Sequence, residues 1–221
     1  MNFKTEYAEN PDPRCPVVLL LDTSGSMSGQ PIEELNRGLV TFQQELSQDS
    51  FAARRVQVAI VTFDSYVNVV QDFVDFNQFN PPHLSATGTT AMGEGIETAL
   101  NLIESHKQLL KSPEIAIDYY RPWLLMITDG APTDSWQNAA QMLHQFYANK
   151  KVVFFAVAVQ GADMNTLSQI VPPGSIPPQQ LKGLAFNQLF TWLSNSMGSV
   201  SRSQGGAQVA LPPAKEWVVG T

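Results

Sequence analysis

The stretch Cys15-Pro-Val-Val-Leu-Leu-Leu-Asp22-Thr-Ser24-Gly-Ser26 decides the fold. Val17 to Leu21 are five consecutive apolar residues with no polar alternation. A strand of that kind is buried on both faces, as in a parallel sheet covered by helices. It ends on an acid and a Ser/Gly loop. Ile32, Leu35, Leu39, Phe42 and Leu46 then recur at steps of three and four, the spacing of one helix face. Pro31 suits the first turn of that helix, and Glu33 and Glu34 suit the positive end of its dipole.

The alternation continues outward. Residues 56–63 and 66–73 read as strands joined through Asp64-Ser65, a hairpin whose second strand is antiparallel and at the sheet edge. After a loop holding Pro81-Pro82, Ile96, Leu100, Ile103 and Leu110 mark a helix over 92–110. Trp123 to Thr128 is a strand broken by Asp129-Gly130, residues 136–148 a helix, and residues 151–159 a strand. Asp163 caps a short helix to Ile170; residues 171–178 are Pro-rich and read as irregular. Phe186, Leu189, Phe190, Leu193 and Met197 describe a last helix. The expected architecture is α/β: a doubly wound, Rossmann-like, mostly parallel sheet with one antiparallel edge strand and helices on both faces. One domain over 1–221 is expected, with its core over about 15–200. Residues 201–221 read as an extension packing back through Val209, Leu211 and Trp217.

Composition narrows the function. The chain has 221 residues, 43% hydrophobic and 15% charged, with a net charge of −7. That is enough apolar material for a sizeable core. No basic face is visible for nucleic acid or an anionic membrane. The only cysteine, Cys15, excludes an internal disulfide and a Cys-rich metal site. His83, His106 and His144 are scattered and read as ordinary exposed or core histidines. The first residues are polar and carry no secretory signal. Apolar runs of about six residues fall far short of the roughly 20 that span a bilayer. A cytoplasmic protein is expected.

In such sheets ligands sit beyond the carboxyl ends of the strands. Three segments fall there: Asp22-Thr-Ser24-Gly-Ser26, Thr87-Gly88-Thr89-Thr90-Ala-Met-Gly93 and Thr128-Asp129-Gly130. They offer two carboxylates, several hydroxyls and tight-turning glycines, but no imidazole or thiol. Oxygen-only donors select hard cations: Mg²⁺, Mn²⁺ or Ca²⁺. Singly, each segment has an ordinary reading as a strand-end turn or helix cap. Jointly, at the junctions of one α/β pattern, they read as a metal site.

Asp22-Thr-Ser24-Gly-Ser26 resembles the D-x-S-x-S signature of von Willebrand factor A (vWA) domains. Gly88-Thr89-Thr90-x-x-Gly93 and Thr128-Asp129-Gly130 are similar to that family's second and third motifs. The resemblance implies a divalent cation at a metal-ion-dependent adhesion site (MIDAS). Ser24, Ser26 and Thr90 would be direct ligands, and Asp22 and Asp129 outer ligands through water unless one shifts into direct contact. Thr89 offers the same group next door; Thr90 fits the register that the family's motif suggests. A partner's Asp or Glu would fill the open coordination position.

The opening stretch, Gly-Ala-Asp163-Met-Asn-Thr-Leu, Phe190-Thr-Trp192-Leu-Ser-Asn-Ser and the late Leu-Pro-Pro also resemble bacterial tellurite-resistance TerY-type proteins. Those are cytoplasmic and occur beside a Ser/Thr kinase and a metal-dependent protein phosphatase. This resemblance implies a protein-binding role in a stress-response or phospho-signalling assembly.

Enzyme readings lack their parts. The main alternative is a metal-dependent phosphotransferase or hydrolase on the same kind of fold. An aspartyl-phosphate enzyme needs a second acid where Ser24 stands, and a hydroxyl is no general base near neutral pH. The glycine-rich phosphate loops are absent. A Ser24 nucleophile would want G-x-S-x-G and a histidine. Trp136 and Met27 are expected near the metal face, as packing residues first and partner contacts second.

Overall fold

In the computed structural model, which describes residues 7, 9–203 and 209–219, the opening stretch is the centre of the sheet. β1 (Cys15–Asp22) is buried along its whole length. It lies between β2 (Val56–Phe63) and β4 (Trp123–Thr128), parallel to both. β5 (Val153–Ala158) and the two-residue β6 (Gln179–Gln180) extend the sheet in parallel beyond β4. β3 (Val67–Asp75) is the antiparallel strand, and the order is β3-β2-β1-β4-β5-β6.

Alternate residues of β1 feed two cores. Val17, Leu19 and Leu21 face one side, with α1 (Gln30–Ser47), the short α2 (Ser50–Arg55) and α6 (Phe186–Arg202). Val18 and Leu20 face the other, with α3 (Met92–Lys111), α4 (Gln137–Ala148) and α5 (Met164–Ile170). This is the two-sided arrangement that an unalternated apolar strand requires.

Several details differ from the sequence reading. Two elements carry no periodic signal: α2 spans six residues, capped by Asp49 accepting from Phe51 and Ala52 N–H, and β6 spans two. Phe73, Phe76 and Phe79, close in sequence, divide between the two faces. Phe76 and Phe79 pack on Phe42, centroids 5.7 and 6.1 Å away. Phe73 stacks on His106 at 4.0 Å on the other face. Val209 and Leu211 pack against the first core, and Trp217 lies 5.2 Å from the Trp192 ring. Val219 N–H donates to Gln180 O (3.0 Å), so this segment covers the β6 edge. Residues 1–6 and 8 of the polar start and residues 204–208, 220 and 221 of the tail lie outside the described residues.

At the amino ends of the strands, His106 is buried in a polar chain. Its Nε2 meets Gln57 Oε1 at 2.7 Å, and Gln57 Nε2 donates to Asp75 Oδ1 at 2.7 Å. Burial, and then the nearby Arg14 guanidinium, push the imidazole pKa down to about 4. The unfolded chain therefore binds an extra proton between pH 6.5 and 4. Stability is undiminished above 6.5 and falls by about 3 kcal/mol as pH drops to 4. Denaturant titrations at pH 7 and 4.5 should show this loss in wild type and a shallower one in His106→Gln.

Candidate metal centre

Each parallel strand delivers its last residue to the same end of the sheet, and there the three loops meet. Asp22 closes β1 and is fully buried. Its Oδ1 accepts from Ser24 N–H (2.8 Å) and its Oδ2 from the Thr128 hydroxyl (2.5 Å). The Ser26 hydroxyl donates to Asp129 Oδ1 at 2.6 Å, leaving Ser26 Oγ to accept from Ser24 at 3.0 Å. Ser24, Thr90 and Asp129 are buried, and Ser26 is exposed at the mouth.

The loops are held by their backbones. Gly25 N–H donates to Gly88 O (3.1 Å) and Thr87 N–H to Thr23 O (2.8 Å). Gly88 sits at φ +74°, the left-handed region that favours glycine. Thr90 and Thr133 exchange two bonds: Thr90 N–H to Thr133 Oγ1 (3.0 Å) and Thr133 N–H to Thr90 O (2.9 Å). Asp134 accepts from Gly93 and Glu94 N–H, capping α3 from a distant loop.

Geometry separates the two threonines. Thr89 is exposed, and its hydroxyl and N–H both meet Ser65 Oγ, at 3.2 and 3.0 Å. Thr90 Oγ1 faces the carboxylates. A methyl group on Gly130 would lie 3.4 Å from Thr90 Oγ1 and 3.8 Å from both Asp22 Oδ2 and Ser26 Oγ. The bare Gly130 α-carbon of the third loop thus leaves a cradle among oxygens from the first two loops. Gly130→Ala should weaken Mg²⁺ binding tenfold or more, about 1.4 kcal/mol. Those contacts are of ordinary van der Waals length, so urea unfolding of the metal-free protein should barely change. Calorimetric titration with Mg²⁺ reads the first effect.

The electrostatics fit a cation. Burial pushes both carboxyls up from the usual carboxylate range, and the Asp129 charge adds to this at Asp22. Bonds from Ser24 and Thr128 oppose it only in part. Among the described residues, no Lys or Arg forms an ion pair with either acid. Nor do three His, Cys, Asp or Glu side chains gather anywhere as a metal-binding group. The hydroxyls of Ser24, Ser26 and Thr90 stand beside the two acids as further oxygen donors.

No histidine joins the cradle. His83 lines a groove with Glu33, Asn36, Arg37 and Val40; His106 is in the opposite polar chain, and His144 meets Ile170 O at 3.1 Å. Met27 is fully buried and Trp136 half-buried. Sequence reasoning missed Thr133, Asp134 and Ser65, and the bond from Thr128 to Asp22. Their only signal is hydroxyl and Asx chemistry in turns, which every loop shares.

Residues 17–188 match the von Willebrand factor type A domain. The chain belongs to that family. No curated protein matches the chain. Solved structures with the vWA fold resemble it at low identity. Proximal thread matrix protein 1 from the mussel byssus, with a zinc-occupied MIDAS motif, is 16% identical over 83% of this chain and 48% of its own, TM-score 0.56. The PilB minor pilin from Streptococcus sanguinis is 12% identical over 86% and 62%, TM-score 0.60. The open form of the pilus adhesin SpaC from Lactobacillus rhamnosus GG is 13% identical over 85% and 30%, TM-score 0.65. The vWA chain thus spans less than two thirds of each of these proteins. Among the described residues, no helix is long and apolar enough to cross a membrane.

Proposed function

We propose that this vWA protein is a non-catalytic, divalent-metal-dependent protein-binding module. One observation carries the reading: oxygens of Asp22, Ser26 and Thr90 surround one cradle, with Ser24 and Asp129 bonded to Ser26. Ser24, Ser26 and Thr90 would hold the ion, and Asp22 and Asp129 would neutralise it from just outside. An ion held largely by neutral hydroxyls supplies a strong Lewis-acid position for an incoming anion. An Asp or Glu of a partner protein is the natural occupant.

Mg²⁺ is the expected ion, with Mn²⁺ or Ca²⁺ as substitutes, because every donor is a hard oxygen. The mussel protein carries zinc in its MIDAS motif, so zinc belongs among the ions tested. Among the described residues, the hydroxyl–carboxylate contacts at this end, Ser26 to Asp129 and Thr128 to Asp22, have no histidine beside them. The Thr128 hydroxyl and Ser24 N–H orient Asp22, and the Thr90–Thr133 exchange fixes the second loop against the third. The cellular setting rests on the TerY-type resemblance: a bacterial, cytoplasmic assembly linked to tellurite and other stress, with a Ser/Thr kinase and a metal-dependent protein phosphatase as candidate partners.

Affinity capture in Mg²⁺ and in chelator tests this reading, with Ser26→Ala as control. Ser26 is exposed, so its loss should weaken Mg²⁺-dependent capture about tenfold or more without unfolding the protein. Capture that is equal in Mg²⁺, in chelator and by Ser26→Ala would move the partner to another face.

A further inference from the structure

The cations of this chain are sorted along the strand axis, whereas acids stand at both ends, and at the far end Asp12, Asp49, Asp75, Glu104 and Asp118 are paired with those cations. Its parallel strands put Asp22, Asp64 and Asp129 at one end of the sheet. The first two turns of α1 and α3 add Glu33, Glu34, Glu94 and Glu97 there. The cations collect at the other end, in the residues that precede β1, β2, β4 and β5 and in the last turns of α3 and α6. From Val56 to His106 the sequence holds no Lys or Arg. Among the described residues, the cations at the acidic end are Arg37, tied to Glu33 and Glu34, and Lys182 and Lys215 beside the distant β6 edge.

Apolar surface adjoins the acidic loops. Tyr66 is 76% exposed, and Val69 and Val70 are each 44% exposed. Val70 is the extra residue of a bulge between the pairs Gln71–Ile60 and Val69–Val61. A second register shift follows towards Val58, so β3 is a poor template for an added strand and offers its side chains instead. The Tyr66 turn is fastened to the cradle loop. Ala91 N–H donates to Asp64 O (2.8 Å), and Thr89, beside Thr90, is held by Ser65.

We propose that the surface formed by Tyr66, Val69 and Val70, flanked by Asp64, Glu94 and Glu97, docks a basic, apolar segment of a partner protein. This rests on the reading of the cradle as a metal site. The segment presents one carboxylate to the metal, with Lys or Arg and aliphatic residues around it. A bare acidic segment is repelled by this end of the sheet, whereas flanking cations are steered to it. An exposed tyrosine beside such a site is the kind of anchor on which binding energy concentrates.

The test is selection of a random displayed peptide library on the full chain, in Mg²⁺ and in chelator. The Mg²⁺-selected peptides should contain an Asp or Glu yet be net positive. Their affinity should fall about tenfold in Tyr66→Ser, in the Glu94→Gln/Glu97→Gln double variant and at 0.5 M salt. Calorimetric Mn²⁺ titration of these variants should match wild type. Enrichment of net-negative or uncharged peptides, absence of binders, or full affinity in Tyr66→Ser overturns the proposal. Basic apolar peptides selected equally in chelator uphold this surface and overturn the metal reading instead.

Discussion

Asp22→Asn should abolish stabilisation by metal while leaving the metal-free protein at least as stable as wild type. The cause is the cost of a buried carboxylate without a cation. Asp22 is fully buried, and burial raises its pKa above that of an unfolded Asp. The folded, metal-free protein therefore gains stability as pH falls through that raised pKa and is penalised above it. Asn keeps the shape and is neutral at every pH. Its amide oxygen can accept from Ser24 N–H, and its amide N–H can donate to Thr128. A metal at a hundred times its Kd stabilises a protein by about 2.7 kcal/mol, or roughly 5–11 °C in a domain of this size. Thermal unfolding with and without Mg²⁺ should show that rise in wild type and none in Asp22→Asn. A variant that melts far below metal-free wild type would make Asp22 a structural residue.

Gly38→Ala should cost about 2 kcal/mol or more, although alanine is the better helix former by about 1 kcal/mol. Gly38 is where α1 meets α6. A Cβ there would stand 2.5 and 2.9 Å from Phe190 ring carbons and 3.1 Å from Phe186 Cβ. Phe190 is buried and packs on Phe42 at 5.9 Å, so the ring cannot swing aside. Either α6 moves away from the sheet or the ring leaves its place. Urea unfolding at pH 7 measures the loss, and a midpoint equal to wild type would contradict the packing described here.

Much of this fold is legible in the sequence because parallel strands buried on both faces leave unbroken apolar runs. β1 and β4 show them, and the spacing of Ile96, Leu100, Ile103 and Leu110 shows α3. β6 is not legible, since two glutamines at an edge need no apolar pattern. Nor is α2, whose six residues are too few to show a period. At the site, the acids and hydroxyls are legible because they follow strands. The bonds that orient them are not: Thr128 reaches Asp22 across 106 positions, and Asp134 caps α3 across 41 and 40. The sorting of cations away from the metal end becomes visible only once the strands are known to run parallel.

The central claim is that these oxygens hold a divalent ion. Anomalous diffraction from a crystal of the full chain grown in Mn²⁺ tests it most directly. The expected result is a single strong peak among the oxygens of Asp22, Ser24, Ser26, Thr90 and Asp129. A peak elsewhere, or none in the cradle at saturating Mn²⁺, would contradict it.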